Sequence, residues 1–544
     1  MIELHSLMLL LTLTVSCLIA ARTLIHYFQL ESYQFPGYFR TLIRRIPYAL
    51  LPGIVLNILW AGGAVLIALL VPAGNPWIPV LCESAVLLAG ALLLDRFFRV
   101  RKEKKPLKFT PRIKRLYIIS GIVFFLVLFL SVRFGIREST AGAGSFGPGF
   151  AVCVTFPLFL PLWLAFSGLI AWPVEKLISE LYFRDAQRIL KKRPDVIKIG
   201  ITGSWGKTSV KYILGTMLEE KYHTLITPAS FNTPMGVTKV IRSQLEPGHR
   251  IFIAEMGARH VGDIREMCRL VHPSYGVLTS VGPQHLDTFK TIERIKKTKY
   301  ELIEALPPDG AAFFADDGGI CLDLYRKTEI RKWISGLEPD NADVWAQDIK
   351  VGKDGSSFQL CRKNGAKIFC ETRLLGELNI RNILLAASVC LELGLTDQQI
   401  ARGIRRLEPV EHRLQLIRHS GGLSVIDDAF NSNIRGAEQA FQVLKAFPER
   451  RIVVTPGMVE LGEQESEMNR SLGRMMASCC DIAVLIGIRH SKPIYEGLVE
   501  MHFPAESIHT FPSLQEAQQW LQLHSNAGDT ILFENDLPDN YSEE

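Results

Sequence analysis

The sequence predicts an α-helical membrane domain followed by an α/β region of parallel sheets, and three observations carry that reading. Apolar stretches long enough to cross a bilayer, about 20 helical residues, recur near residues 6–28, 47–71, 76–95, 116–132 and 148–172, and none of comparable length follows Trp172. From residue 196 onward, short β-rich apolar runs alternate with helical patterns, the signature of parallel strands with covering helices. Between the two regions, an apolar strand runs directly into the glycine-rich turn Thr202-Gly-Ser-Trp-Gly-Lys-Thr-Ser209.

The first apolar stretch has only Glu3 ahead of it, with no basic segment and no small-residue cleavage site, so it reads as a retained span rather than a signal peptide. Segment 27–46 mixes Tyr27, Phe28, Leu30, Tyr33, Phe35, Tyr38 and Phe39 with Arg and Gln, which suits a stretch lying along the membrane interface or a connecting loop. The connection between the third and fourth stretches carries Arg96, Arg99, Arg101, Lys102, Lys104, Lys105, Lys108, Arg112, Lys114 and Arg115 against Asp95 and Glu103. Such a loop stays in the cytoplasm, and it is a candidate contact for anionic lipid head groups. The connection after the first stretch carries Arg40, Arg44 and Arg45, and Pro72 to Pro76 carries no charge. Five spans with an outside N-terminus satisfy every loop and leave all that follows inside the cell. The expectation is therefore a multi-pass membrane protein with a cytoplasmic C-terminal part.

The 544 residues are too many for one core and suggest roughly three domains. The net charge of +6 says little by itself, and no nucleic-acid partner is expected. The ten cysteines are scattered apart from Cys479-Cys480 and lack metal-ligand spacing, which fits a reducing cytoplasm.

Strands are expected at Val196 to Ile201, Ile251 to Ala254, Gly276 to Thr279, Ala311 to Phe314, Val425 to Ile426, Ile452 to Thr455, Ile482 to Ile486 and Thr530 to Phe533. Helical spacing marks Gly376 to Gly394 and Thr396 to Leu407, and the break near Glu408-Pro409 is the expected domain boundary. The domains are then a membrane domain over 1–178, a linker helix over 179–195, an α/β domain carrying the glycine-rich turn over 196–408 and a C-terminal domain over 409–544. In the glycine-rich turn, Gly203 and Gly206 let backbone N–H groups face phosphate, Lys207 adds a cation and the Thr208 hydroxyl suits magnesium. A full Walker A has a glycine five residues before Gly206, where this chain has Ile201.

Thr202-Gly-Ser-Trp-Gly-Lys-Thr-Ser209 resembles the ATP loop of the Mur ligases, and further resemblances follow in order. They are Ser230-Phe-Asn-Thr-Pro-Met-Gly236, Ala254-Glu-Met-Gly-Ala258, Ser280-Val-Gly-Pro-Gln-His-Leu286, Lys297-Thr-Lys-Tyr-Glu301, Gly376-Glu-Leu-Asn-Ile-Arg-Asn382 and Glu411-His-Arg-Leu414. Asp427-Asp-Ala-Phe-Asn-Ser-Asn433 and Met458-Val-Glu-Leu-Gly462 resemble the C-terminal domain of the branch that adds D-alanyl-D-alanine. The resemblance implies a central P-loop ATPase domain and a Rossmann-like C-terminal domain. It also implies a reaction in which ATP phosphorylates a carboxylate and an amine then attacks the acyl phosphate.

What the resemblance implies for single residues is as follows. Gly203, Ser204, Gly206, Lys207, Thr208, Ser209, Asn379, Asn382, Arg413 and Asp428 would hold ATP, and Thr208 and Glu255 one magnesium ion. His285 would assist a second ion, and Lys299 would carry a carbamate that faces it. Lys207, His285 and Lys299 are thus the catalytic candidates, and Asn232, Asn431, Asn433 and Glu460 the substrate candidates. Read alone, His285 is an ordinary histidine, Lys299 a solvated residue beside Arg294, Lys296 and Lys297, and Asn379 and Asn382 helix caps. Arg413 and Asp428 read alone are ordinary salt-bridge partners.

The chain departs from the family at two places. Membrane spans stand where a UDP-sugar-binding domain is expected, and on the acceptor side Asn469 replaces a histidine while Glu534-Asn-Asp-Leu-Pro-Asp-Asn540 replaces a lysine-containing segment. These point to a membrane-bound ligase joining an amino acid or peptide amine to a carboxylate on a lipid-linked envelope precursor. The alternatives within the class are a D-alanyl-D-alanine-adding enzyme acting on a UDP-linked peptide and a poly-γ-glutamate-type capsule synthase. An ATP-driven transporter and a nucleotide-sensing scaffold are the readings from other classes.

Overall fold

The computed structural model describes residues 4–70, 75, 77–98, 106–139, 148–229, 231–363, 365, 367–418, 421–430, 433–459 and 461–536. It divides into two compact units, Met1–Glu180 and Leu181–Glu544.

The first unit is helical: Leu4–Ala20, Arg22–Leu30, Phe35–Arg44, Ile46–Leu70, Trp77–Phe98, Pro111–Ser139, Pro148–Thr155 and the start of Leu160–Lys191. Much of its surface is apolar, with Leu69 78% and Phe97 82% exposed, and buried Ser16, Ser120 and Ser167 lie inside. Large apolar outward faces mark surfaces that meet a membrane or another protein. Among the described residues four helices are long and apolar enough to cross a membrane, Ile46–Ile67, Trp77–Phe98, Pro111–Arg133 and Ala151–Lys191, or five if the bent pair Leu4–Ala20 and Arg22–Leu30 is one span. The first apolar stretch is not one straight span: Leu4–Ala20 and Arg22–Leu30 meet at a 42° bend. Around Pro157 the stretch expected over 148–172 tightens into a short 3₁₀ turn, Phe156–Phe159, because proline contributes no N–H. No separate linker helix starts at residue 179, since Leu160–Lys191 runs through that point unbroken.

Segment 27–46 is structured rather than a loop, and much of its aromatic face is interior. Tyr27, Phe28 and Tyr38 are buried, the Tyr38 hydroxyl donates to Pro161 O at 3.1 Å, and the Phe28 ring lies 5.0 Å from that of Tyr38. Two of the basic-loop cations also have partners. Arg115 holds Glu175 through two hydrogen bonds of 2.5 and 2.9 Å, and Arg112 lies 3.8 Å over the Tyr33 ring. Arg99, Arg101, Lys102, Lys104 and Lys105 fall outside the described residues.

The second unit holds two sheets. The first is built from β1 (Ile197–Thr202), β2 (Thr224–Ile226), β3 (Ile251–Glu255), β4 (Tyr275–Leu278), β5 (Ala311–Ala315), β6 (Arg331–Gly336), β7 (Val344–Gly352), β8 (Gly355–Arg362) and β9 (Ile368–Thr372). Its order is β2-β3-β1-β4-β5-β6-β7-β8-β9, parallel from β2 through β7 and antiparallel across β7, β8 and β9. The chain order reverses around β1, which pairs with β3 on one side and β4 on the other. The carboxyl end of such a strand is where open α/β sheets place their ligands. The strands β2, β6 and the ribbon β7 to β9 are not marked by the apolar-run criterion, which favours strands buried on both faces.

The second sheet contains β10 (Gln415–Arg418), β11 (Ser424–Asp428), β12 (Arg451–Thr455), β13 (Ile482–Ile486), β14 (Ile508–Phe511) and β15 (Thr530–Glu534). Its order is β10-β11-β15-β12-β13-β14, parallel except for β10. Between the two sheets come the helices Gly376–Glu392 and Asp397–Arg405, the latter closed by a capping box of Thr396 and Gln399.

Candidate functional site

The site grows from the end of β1. Gly203 and Gly206 have φ of +156° and +81°, conformations that disfavour a side chain. A Cβ on Gly203 would fall 2.0 Å from Thr279 Oγ1, and one on Gly206 would fall 3.1 Å from Asn382 Oδ1. The turn is tied to the loop after β4. Ser204 Oγ donates to Gly282 O at 2.9 Å and accepts from Gly282 N at 3.0 Å, Trp205 N donates to Ser280 Oγ at 2.8 Å, and Thr279 Oγ1 donates to Trp205 O. Gly282 is required beneath the Trp205 ring, since a Cβ there would lie 2.1 Å from it. The helix Lys207–Leu218 then starts with its N-terminus beside the turn, where N–H groups and dipole favour an anion.

Lys207 folds back over its own loop, donating to Gly203 O at 2.6 Å and Ser204 O at 3.0 Å. Burial lowers its pKa to about 8, against the opposing pull of Glu255. Thr208, at the next position, donates to Glu255 Oε1 at 3.2 Å. The same oxygen accepts from Asn232 Nδ2 at 3.0 Å, and Glu255 Oε2 pairs with Lys211 Nζ at 3.0 Å. Glu255 and Lys211 are 1% and 0% exposed at the side chain, so this is a buried ion pair with every carboxylate oxygen engaged. A hydroxyl beside a carboxylate is the hard oxygen set that suits magnesium, which keeps several waters and takes the rest from phosphate. Among the described residues no three His, Cys, Asp or Glu side chains converge to cage a metal.

Lys299 is not a solvated residue. It sits on the inner face of the helix Ile292–Glu304 and is 2% exposed, while neighbouring Arg294 and Lys297 face outward. Burial and the nearby Lys207 charge hold its pKa well below the usual lysine value, with Asp263 opposing. His285 adopts φ of +52° at the start of the short helix Leu286–Phe289 and is half-buried.

Asn379 and Asn382 lie buried on the helix Gly376–Glu392. Asn382 abuts the phosphate turn, while Asn379 donates to Leu375 O at 2.9 Å. Arg413 reaches in from the segment between the sheets, 4.6 Å over the Phe430 ring. Its pKa is lowered by burial, and Asp428 and Glu255 both act to hold its charge. Asp428, at the end of β11, accepts from Leu414 N at 3.1 Å and pairs in register with Glu534. Burial raises the Asp428 carboxyl to about 6, with Arg413 opposing. A cavity of about 400 Å³ opens here, lined by Thr208, Tyr212, Ala229, Leu407, Arg413 and Phe430.

The substrate candidates fare differently. Asn232 joins the Glu255 cluster. Asn433 caps the helix Ile434–Lys445, accepting from Gly436 N at 3.0 Å. Asn431 and Glu460 lie outside the described residues. Asn469 is a buried clamp, its amide accepting from Met458 N at 2.8 Å and donating to Met458 O at 2.9 Å. Sequence reasoning passed over Lys211, Thr279, Ser280 and Gly282 as site residues. Lys211, one turn after Lys207 on the same helix, was the one that spacing could have marked.

Residues 201–390 match the Mur ligase middle domain, and residues 412–534 match the glutamate ligase domain of Mur ligases. Among curated proteins, the chain is 32% identical over 305 residues to the UDP-N-acetylmuramoyl-tripeptide–D-alanyl-D-alanine ligase of Mycobacterium tuberculosis, covering 54% of this chain. It thereby spans 59% of that relative's length. It is 26% identical over 337 residues to the ligase of the same name from Bacillus subtilis, covering 62% of this chain and 72% of the relative. Among solved structures, MurF from Acinetobacter baumannii superposes with a TM-score of 0.60 at 24% identity, covering 67% of this chain and 79% of that one. MurF from Thermotoga maritima gives 0.58 at 24% identity, covering 67% and 82%.

Proposed function

The chain carries the middle and C-terminal domains of the Mur ligase family, and from that premise we propose that it is an ATP- and magnesium-dependent ligase. It joins a carboxylate to an amine in cell-envelope assembly. The observation that carries this reading is the phosphate turn at the end of β1, with Thr208 and Glu255 in contact beside it, Lys207 folded over it and Lys299 buried on the helix Ile292–Glu304.

In the proposed reaction a substrate carboxylate oxygen attacks the γ-phosphorus of ATP and ADP leaves. An amine nitrogen then attacks the acyl carbon, the C–O bond to phosphate breaks, and the amine loses a proton. Phosphoryl transfer gains mainly from positioning and charge neutralisation. Lys207 supplies a cation at the turn, Arg413 a second from the segment between the sheets, and Asn382 steadies the turn from behind. Thr208 and Glu255 would hold the magnesium ion, which neutralises phosphate charge when bound. Burial lowers the Lys299 pKa and so favours the neutral amine, the form that adds carbon dioxide to give a carbamate anion and a proton, and His285 stands with it as the candidate for a second ion.

The apolar coat of the helical unit and its spans support a multi-pass plasma-membrane location, with Met1 outside and the ligase domains in the cytoplasm, where ATP is. Reporter fusions at both ends test this, and an external C-terminus would refute both location and function. With a membrane unit in the place of a UDP-sugar-binding domain, the carboxylate belongs to a lipid-linked precursor. The names of the curated relatives favour a second reading, a UDP-linked muramoyl peptide. The soluble fragment from Lys191 to Glu544 separates the two: it keeps the nucleotide site and loses turnover on a lipid-linked acceptor, whereas full activity on a UDP-linked peptide would establish the second reading.

A further inference from the structure

Ala229 has φ of +43°, left-handed backbone at a residue that carries a Cβ. Such strain persists only where neighbours fix it, and both neighbours come from one helix. The Tyr212 hydroxyl accepts from Ala229 N at 3.0 Å, and Lys211 Nζ donates to Ala229 O at 2.5 Å. The same ammonium donates to Glu255 Oε2 at 3.0 Å. Beyond Ala229 the loop brings Asn232 back to Glu255 Oε1, and its backbone oxygen accepts from Gly257 N at 2.8 Å. Ala229 also lines the cavity between the sheets together with Tyr212, Arg413 and Phe430. One buried cation therefore touches both the carboxylate beside the phosphate turn and the loop that borders the cavity.

From this geometry we infer that Lys211 is a positioning residue that couples the two: it fixes Glu255 by one oxygen, leaving Oε1 to face the magnesium position, and pins Ala229 in the conformation that lines the cavity wall. A lysine serves because its ammonium has three donors and can bond a carboxylate and a carbonyl at once. A neutral side chain would leave Glu255 Oε2 without its cation, so that the carboxylate could turn about its bonds to Thr208 and Asn232, and would release Ala229 from its strained conformation. The magnesium half of this inference rests on the reading of the site given above; the loop half does not.

The test uses the full chain purified in detergent, with Lys211→Met as an uncharged near-isostere and Tyr212→Phe, which removes only the hydroxyl. ATP affinity is measured by calorimetry with and without magnesium, and amide hydrogen exchange is followed at Ala229 and Asn232 without nucleotide. Lys211→Met is expected to bind magnesium-free ATP as the wild type does but to lose about 10- to 100-fold of the magnesium-dependent gain, the usual cost of removing a group that orients a metal ligand. Its exchange at Ala229 and Asn232 should rise. Tyr212→Phe should raise exchange at Ala229 while keeping the magnesium gain, and this arm stands even if Lys211→Met does not fold. An unchanged magnesium gain together with unchanged exchange in Lys211→Met, or slow exchange at Ala229 in Tyr212→Phe, would overturn the inference. Absence of ATP binding in the wild type would instead overturn the nucleotide reading, with the exchange arm still deciding the role of Lys211 in the loop.

Discussion

Two buried glutamates, one in each unit, are treated in opposite ways. Glu255 has both oxygens engaged, by Lys211, Asn232 and Thr208. Glu83, inside the helix Trp77–Phe98, is 3% exposed with neither oxygen hydrogen-bonded. Its carboxyl lies flat against Gly63, where a Cβ would fall 2.8 Å from it. A buried carboxyl in so apolar a helix is costly, which marks Glu83 as unusual. The contrast shows how differently the units are held together. The ligase unit holds Glu255 in a polar network, whereas the helical unit packs Glu83 by shape alone and pairs other carboxylates with arginine, as in Arg115–Glu175 and Arg22–Asp95.

The largest effect that would sharpen this contrast is chemical. Lys207→Ala removes a cation from the phosphate turn and should cut ATP-dependent turnover by about 10²- to 10³-fold, while membrane insertion, read by fractionation, stays as in the wild type. Lys299→Ala should cost about 10²-fold by the same kind of loss, with partial recovery on adding acetate or formate, which can supply the missing carboxylate oxygen. Full activity of Lys299→Ala without additives would break the carbamate assignment.

The glutamates themselves give the next effect. Glu255→Gln leaves the buried Lys211 ammonium uncompensated and should destabilise the ligase unit by about 3 kcal/mol, measured by thermal unfolding in detergent. Glu83→Gln breaks no hydrogen bond and should leave the unfolding temperature unchanged or raised. Equal losses in the two variants would erase the distinction between the units.

The smallest effect is in pH. The Asp428 carboxyl is raised by burial from 3.8 to about 6, so between those values the folded protein holds a proton that the unfolded chain has released. Stability should therefore fall as pH rises through that window and level off above it, and Asp428→Asn should flatten the slope.

The phosphate turn was legible in the sequence because its chemistry is contiguous: two glycines, a lysine and a threonine within six positions. The strands β1, β3, β4, β5, β12, β13 and β15 were legible because both faces are buried and the runs are apolar. The ribbon β7 to β9 was not, since Val344–Gly352 alternates buried and open positions around Asp348 and Lys350. Lys299 looked solvated because Arg294, Lys296 and Lys297 surround it in sequence, and only the packing of its helix turns it inward. The tie from Lys211 to Ala229 spans 18 residues and depends on a left-handed backbone that no residue type announces. The bend after Ala20 was equally silent, with no proline or glycine to mark it.

The central claim is that this site spends ATP only to join a carboxylate to an amine. The most direct measurement is phosphate release by the detergent-purified full chain, with carboxylate precursors and amino acids or dipeptides supplied singly and together. The account predicts rapid, magnesium-dependent release only when a carboxylate and an amine are both present, slowed by about 10²- to 10³-fold in Lys207→Ala. Phosphate release that needs neither substrate, or that is undiminished in Lys207→Ala, would contradict it.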